Sequence, residues 1–494
     1  MDLLSAVHGC TFDDFLLAPQ FSIVDRRDPA SLDLSAHLTA RLVLKRPLVS
    51  ANMDTVTRAE MAIVMAEEGG LGIIDRGFRP GDIEPQVREV LKVKRTQHGV
   101  IPDPRTIAPD ATLGDATLAM AQSRVGTLVV VDEAQRLLGL LTERDLRFVD
   151  ASGDAVRLRM TPVERLVTHR GAATLEQAAS LMASHKIKKL PLVGPDGTLL
   201  GLMTSRDILG QQRQPFATRD VQGRLRVGAA IGARGDYIER AAELLKAGVD
   251  VLVIDIAHGH SVVMDRALTE MRKRFPEADL IAGNVATADG ARFLVERGAS
   301  AVKVGIGPGG GCTTRLTTNF GVPQLQALVE CRHAVGPAMP IIADGGIKRH
   351  GALTLALVCG GTTVMLGSAF AGTTEAPGEI VQKSVVVPES QKAVKVPFKV
   401  LRGMASIEAI KDRLDVEDAS AVDLQAIGAE GMEVSVPLRG SARPVFQDMV
   451  KHLCSAISYG GSDSLTGLRD LVSADPGRYL VRLTASSRRE SYER

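Results

Sequence analysis

Eight short apolar runs punctuate the chain, and each ends in small or polar residues. They are Pro47 to Asn52 (PLVSAN), Gly70 to Asp75 (GLGIID), Arg226 to Ile231 (RVGAAI) and Val251 to Asp255 (VLVID). Leu280 to Val285 (LIAGNV), Ala301 to Ile306 (AVKVGI), Pro340 to Asp344 (PIIAD) and Thr363 to Ser368 (TVMLGS) follow. Runs this apolar predict strands buried on both faces, hence a parallel sheet. Between them the spacing turns helical, as in Asp236 to Ala247 (DYIERAAELLKA), with Gly248 placed as a stop. Met61–Glu68, Ala288–Gly298, Val322–Val335 and His350–Cys359 read the same way. Alternating units of this kind predict an α/β fold, a (β/α)8 TIM barrel. A doubly wound open sheet is the alternative, but eight strands with polar tips favour closure.

About 150 residues separate the second run from the third, and an internal repeat lies between them. Thr112 to Ala116 (TLGDA) recurs as Thr174 to Ala178 (TLEQA), and Gly139 to Leu146 (GLLTERDL) as Gly201 to Ile208 (GLMTSRDI), both at a period of 62 residues. A duplicated unit predicts a second domain at 95–215, inserted into a barrel built from 1–94 and 216–494. The repeat resembles a tandem pair of cystathionine-β-synthase (CBS) motifs, a Bateman module. The resemblance implies a regulatory adenine or guanine nucleotide, with Thr142, Asp145, Thr204 and Asp207 at its riboses. The alternative is a duplicated helix cap, since Thr followed three residues later by an acid is a capping pattern.

Composition narrows the function. Lys plus Arg number 59 and Asp plus Glu 58, a formal charge of +1. That balance gives no general attraction to nucleic acid or an anionic membrane. Aromatics are 3%, too few for base-stacking platforms. No window approaches ~20 continuous apolar residues, and the start lacks a signal-peptide pattern. The last residues, Ser491 to Arg494, do not form a peroxisomal address, so the cytoplasm is expected. Five scattered cysteines show no disulfide or zinc spacing.

Gly305 to Arg315 (GIGPGGGCTTR) follows the sixth run. Its glycines let backbone groups approach a ligand closely, and it lacks the Gly-Lys-Ser/Thr end of a Walker loop. Cys312, at the loop's end, is placed to project into the barrel mouth as a nucleophile; a buried structural cysteine is the alternative, and the reading adopted for Cys331 and Cys359. Asp344-Gly345-Gly346 and Leu366-Gly367-Ser368 end strands seven and eight, where barrels bind phosphate through backbone amides. Asp255 ends the fourth strand, suited to a ribose or a nicotinamide amide. His258 and His260 beside it lack a third metal ligand.

These segments resemble the IMP dehydrogenase/GMP reductase family over nearly the whole chain. Thr11 to Pro19 (TFDDFLLAP), Ser50 to Thr57 (SANMDTVT), Ala282 to Val285, the Cys312 loop, Gly372 to Glu379 (GTTEAPGE) and Arg402 to Ser406 (RGMAS) carry the likeness. It implies attack of Cys312 on purine C2, with Thr314 handling protons near the leaving group. It places GMP or IMP on Asp344, Gly345, Gly346, Gly367, Ser368, Arg402, Gly403 and Met404. It sets a nicotinamide cofactor against Asp255, Ile256, Ala257, Ile306 and Gly307. A monovalent cation, potassium, is implied at the carbonyls of Gly307, Gly309 and Cys312. Homotetramers, joined by CBS pairs into octamers, are the assembly it implies. The family usually carries Ser where this chain has Gly310.

Within the family, a dehydrogenase hydrolyses its adduct with an Arg-Tyr pair on a flap. The tyrosines here are Tyr237, Tyr459, Tyr479 and Tyr492; none lies between Ser406 and Glu430, and Leu414 follows Arg413. The stretch Glu430 to Gly440 (EGMEVSVPLRG) also reads as reductase-like. Against this, the small reductases lack the insert, and Asp255 to Ser261 is closer to the dehydrogenase form. The reductase glutamate position is Ile407, with Glu408 one step on, a turn of about 100° on a helix. The reading adopted is GMP reductase with NADPH, and IMP dehydrogenase with NAD is the alternative. A non-catalytic purine-nucleotide sensor is a third reading, disfavoured by the intact Cys312-Thr313-Thr314.

Overall fold

The computed structural model describes residues 3–96, 101, 104–123, 125–147, 153–205, 208, 214–386, 393–412 and 428–492. All eight apolar runs form strands: β1 Leu48–Ser50, β2 Leu71–Ile74, β3 Gly228–Ile231, β4 Val251–Asp255, β5 Leu280–Val285, β6 Ala301–Val304, β7 Ile341–Asp344 and β8 Thr363–Leu366. They pair in parallel in that order, and β8 closes onto β1. Helices α1 Ala59–Glu67, α2 Glu84–Arg95, α3 Tyr237–Lys246, α4 Val262–Arg274, α5 Ala288–Glu296, α6 Gln324–Val335, α7 His350–Val358 and α8 Ala442–Tyr459 follow the strands in turn. The protein is a (β/α)8 barrel.

Period-two alternation divides each strand between two cores. Leu48, Leu252, Ile254, Leu280, Val302, Ile341 and Val364 face the helices in one large cluster. Val49, Leu71, Ile73, Val251, Val253, Ile281, Ala301, Ile342 and Met365 point inward and form a second. Leu38, Leu42 and Leu44, from the small ladder of Ala36–His37 with Val43–Leu44, belong to that inner cluster. This apolar plug fills the barrel from one end, so ligands enter at the other.

The chain divides into two compact units, 1–94 with 216–218 and 225–494, and 95–215 with 219–224. In the second, helix Leu113–Ser123 and its hairpin Thr127–Val131/Leu137–Thr142 recur 62 residues on as Leu175–His185 and Lys189–Val193/Leu199–Thr204. Each copy has its own apolar cluster. A third, with Val129, Leu140, Val193 and Leu202, joins them. Leu137 N–H donates to the Gly197 carbonyl (3.0 Å), and Leu199 N–H to that of Gln135 (2.9 Å). These reciprocal bonds mark a pseudo-two-fold interface.

Candidate active site

At the open end the inward alternation continues, but the residues change character. One step beyond Val253, Ala301 and Ile342 come Asp255, Lys303 and Asp344. The Lys303 ammonium donates to Asp255 (2.9 Å) and Asp344 (2.8 Å), and also to Asn284 Oδ1. Asn284 Nδ2 donates to Asp344 (2.9 Å) and to the Gly305 carbonyl (2.8 Å). Arg76 stands 3.6 Å from Asp255. Burial opposes the charge on Lys303, but the two carboxylates overcome it and raise its pKa. Burial likewise works against ionised Asp255, and Lys303 and Arg76 overcome it to hold its pKa below the usual range.

This polar layer floors a cavity of about 240 Å³. Its walls are the ends of β4 to β8 and the glycine-rich loop. Cys312 is half-buried there, and its Sγ lies 3.3 Å from Thr314 Oγ1. Thr314 in turn donates to Glu430 Oε2 at 2.7 Å. The loop is fastened to the segment that brings Glu430: Thr313 N–H donates to the Glu430 carbonyl (2.9 Å), Met432 N–H to Gly311 (2.9 Å) and Gly403 N–H to Met432 (3.1 Å). A Cβ on Gly311 would lie 3.0 Å from the Gly403 nitrogen, so this three-way approach needs glycine. At Gly310 a Cβ would meet nothing within 4 Å, so no neighbour forces the loss of the family's serine there.

The structure gathers Cys312, Thr314, Asp344, Gly345, Gly346, Gly367, Ser368, Gly403 and Met404 around this cavity, with Asp255, Ile256, Ala257, Ile306, Gly307 and Gly309. It does not bring in Glu408. That side chain is exposed on the short helix Ile407–Lys411, and Glu430 holds the place beside Thr314. The Arg402 guanidinium points elsewhere, bonding Asp54 (2.7 Å) and Asp412 (2.6 Å). Sequence reasoning missed Lys303, Asn284, Arg76 and Glu430. In the second unit, the Thr142 hydroxyl (2.7 Å) and N–H (2.8 Å) both bond the Asp145 carboxylate. Thr204 ends its strand; Asp207 and Arg413 lie outside the described residues. Cys331 and Cys359 are buried, which pushes each thiol up to about 12. Among the described residues no helix is long and apolar enough to cross a membrane.

A half-buried cysteine over a buried carboxylate–lysine layer, at the open end of a (β/α)8 barrel, defines a barrel enzyme with a candidate covalent nucleophile. The model of the IMP dehydrogenase / GMP reductase domain matches residues 9–493, and the chain belongs to that family. It is thus an oxidoreductase of a family acting on purine nucleotides with nicotinamide cofactors. It is 42% identical to inosine-5'-monophosphate dehydrogenase of Aquifex aeolicus over 98% of this chain and 95% of that one. It is equally 42% identical to GMP reductase of Leishmania major, over 98% and 96%. A cysteine-to-alanine variant of Trypanosoma brucei GMP reductase, in complex with guanosine 5'-monophosphate, superposes with a TM-score of 0.85 at 36% identity, covering 98% of this chain and 97% of that one. The same enzyme in complex with guanosine 5'-triphosphate gives 0.77 at 33%, covering 97% and 98%.

Proposed function

We propose that the protein is a GMP reductase, converting GMP to IMP and ammonia with NADPH. One observation carries this choice over the dehydrogenase: no tyrosine lies between Ser406 and Glu430 to complete an Arg-Tyr base. Water is a weak nucleophile at neutral pH, and a positioned base is worth roughly 10²–10⁴-fold. A reductase needs no hydrolysis.

In the proposed reaction the Cys312 sulfur bonds to purine C2 and the C2–N2 bond breaks. The thiol proton leaves on the departing amine, which becomes ammonia; Thr314 and Glu430 form a proton relay next to the sulfur. Bound NADPH supplies a hydride to C2. The C–S bond then breaks toward sulfur, IMP leaves, and the thiolate takes a proton from solvent. Asp344 holds the ribose hydroxyls, and the backbone at Gly345, Gly346, Gly367 and Ser368 faces the phosphate, beside Gly403 and Met404.

The residues fit the reduced cofactor. Asp255, Ile256, Ala257 and Ile306 line the cavity beside Cys312. An adjoining cavity of about 380 Å³ shares Arg76 and Ile256 and adds Arg234 and His258, with no acid among its described lining residues. Such walls suit phosphate groups. A monovalent cation suits the main-chain oxygens of Gly307, Gly309 and Cys312, which belong to one loop; the Gly309 carbonyl also accepts the Cys312 N–H (3.1 Å). The inserted unit is proposed as the CBS module, binding adenine or guanine nucleotides through Thr142, Asp145, Thr204 and Asp207. Assembly as a tetramer or octamer belongs to the same reading.

A second reading stays in view because the Thr314–Glu430 pair is also placed to activate water, as IMP dehydrogenase would require. Purified protein given GMP and NADPH should release IMP and ammonia. Given IMP and NAD it should form little XMP under multiple turnover. Sustained XMP formation at a rate equal to GMP reduction or faster would reverse the assignment.

A further inference from the structure

On the outside of the barrel, His350 opens α7, while Asp448 and His452 stand one turn apart on α8. Their ligand atoms all lie within 4.8 Å of one another. His350 Nε2 is 3.3 Å from Asp448 Oδ2, and His452 Nδ1 is 3.7 Å from Asp448 Oδ1. The two imidazoles stack with centroids 4.3 Å apart and planes 2° from parallel. None of the three takes part in the reaction proposed above, and none lines its cavity.

We propose that His350, Asp448 and His452 form a binding site for a divalent transition metal of the zinc class, joining α7 to α8. Two imidazole nitrogens and one carboxylate oxygen make a borderline donor set that suits Zn²⁺ and not Mg²⁺ or Ca²⁺, which require oxygen cages. A fourth position is left to water. The helices supply a rigid base, since Phe446, Met449 and Leu453 of α8 and Leu353 and Leu357 of α7 are buried beneath the site. His452 Nδ1 lies 2.8 Å from the Asp448 main-chain carbonyl, an acceptor only. In this geometry Nδ1 carries the proton, so its 3.7 Å approach to Asp448 is not the metal contact; the nitrogen that takes the ion is Nε2, brought toward Asp448 by a turn of the His452 ring. Parallel rings aim their lone pairs side by side, so one ring must turn to share an ion. Side-chain exposures of 40% for His350 and 54% for His452 leave room for that turn.

The test uses the full chain carrying Cys312→Ala, so that the cavity thiol does not compete. Calorimetric titration with Zn²⁺ should show one ion bound per chain, and Mg²⁺ should give no saturable heat. His350→Ala and His452→Ala should each weaken Zn²⁺ binding by roughly 10- to 100-fold, the range for lost metal partners. At the same Zn²⁺ concentration the melting temperature of the parent should rise more than that of either variant. Both histidines are partly exposed, and circular dichroism would verify that the variants fold. Asp448→Asn, which keeps the shape, should also weaken binding. Equal Zn²⁺ affinity in parent and His452→Ala, or no saturable binding by the parent, would overturn the proposal.

Discussion

The two ends of the barrel are built on one alternation and differ in what occupies its inward positions. At the closed end these are Val49, Leu71, Val251 and Ala301, capped by Leu38, Leu42 and Leu44. Two residues beyond Val253, Ala301 and Ile342 on β4, β6 and β7 stand Asp255, Lys303 and Asp344. The first set is stabilised by burial alone, without direction, and any well-filling apolar group serves. The second is stable only as a unit, because each charge is desolvated and relies on the others. The same strands thus carry a tolerant floor and an intolerant ceiling, and chemistry is confined to the ceiling.

The sharpest break should come at the sulfur. Cys312→Ala should abolish turnover while GMP affinity, measured by calorimetry, changes by less than about tenfold, because the proposed binding mode rests on phosphate and ribose contacts. Glu430→Gln keeps the shape of the Thr314 contact and removes the carboxylate. Its kcat should fall by roughly 10²–10⁴ with KM little changed, read by NADPH absorbance. An unaltered kcat would remove Glu430 from the proton relay.

Lys303→Met leaves two carboxylates buried around one lost cation. Chemical denaturation should show a loss of about 3–5 kcal/mol, and adding Asp255→Asn and Asp344→Asn should restore part of it. At the other end, Leu44→Ala should cost about 2–5 kcal/mol by cavity formation, yet leave kcat/KM within about twofold. If Leu44→Ala were to cut catalysis as deeply as stability, the two ends would not be independent.

The smallest effect concerns Asp75, directly after β2. Burial raises its pKa to about 6, helped by Asp54 and opposed by Arg58 and the Gly77 N–H. A carboxyl raised from 3.8 to about 6 binds more protons folded than unfolded in that interval. Its contribution to stability is therefore full below pH 3.8 and declines as pH rises toward 6. Asp75→Asn should remove this decline, so the stability gap between variant and wild type should widen, in the variant's favour, from pH 4 to pH 6. A constant gap would show that Asp75 ionises normally.

The strands were legible because residues buried on both faces leave unbroken apolar runs, and the five helical stretches read from spacing also form. Lys303 was not read as functional, although the signal was present. A lysine inside Ala301 to Ile306 (AVKVGI) lies in a doubly buried strand, where a charge must be paired. Glu430 left no local signal. It reaches Thr314 across 116 residues of chain, through pairing of the Cys312 loop with residues 430–432. Glu408 drew attention by its place in a motif, but a one-residue offset on a short helix leaves it in solvent. The plug at 36–44 went unread because its strands are two residues long. No sequence period marks the meeting of His350 with Asp448 and His452, since they lie on two helices that become neighbours only when the barrel forms.

The point where the second unit leaves the barrel has a consequence in polymer terms. Lys94, at the point of departure, is bonded to Asp250 (2.6 Å), and on return Thr218 N–H donates to the Ala66 carbonyl (2.8 Å). Both ends are thus fixed in the barrel's own framework. To the barrel, the intervening stretch of about 120 residues is one closed loop. Closing a loop grows more expensive only with the logarithm of its length, about 0.6 kcal/mol per doubling. Set against a linker of about ten residues, the whole excursion adds only about 2 kcal/mol of closure entropy, and less once the inserted unit folds and holds its own ends. A barrel of this kind can therefore gain or shed a second unit between β2 and β3 as a nearly neutral change in chain statistics, with selection left to act on what the unit does.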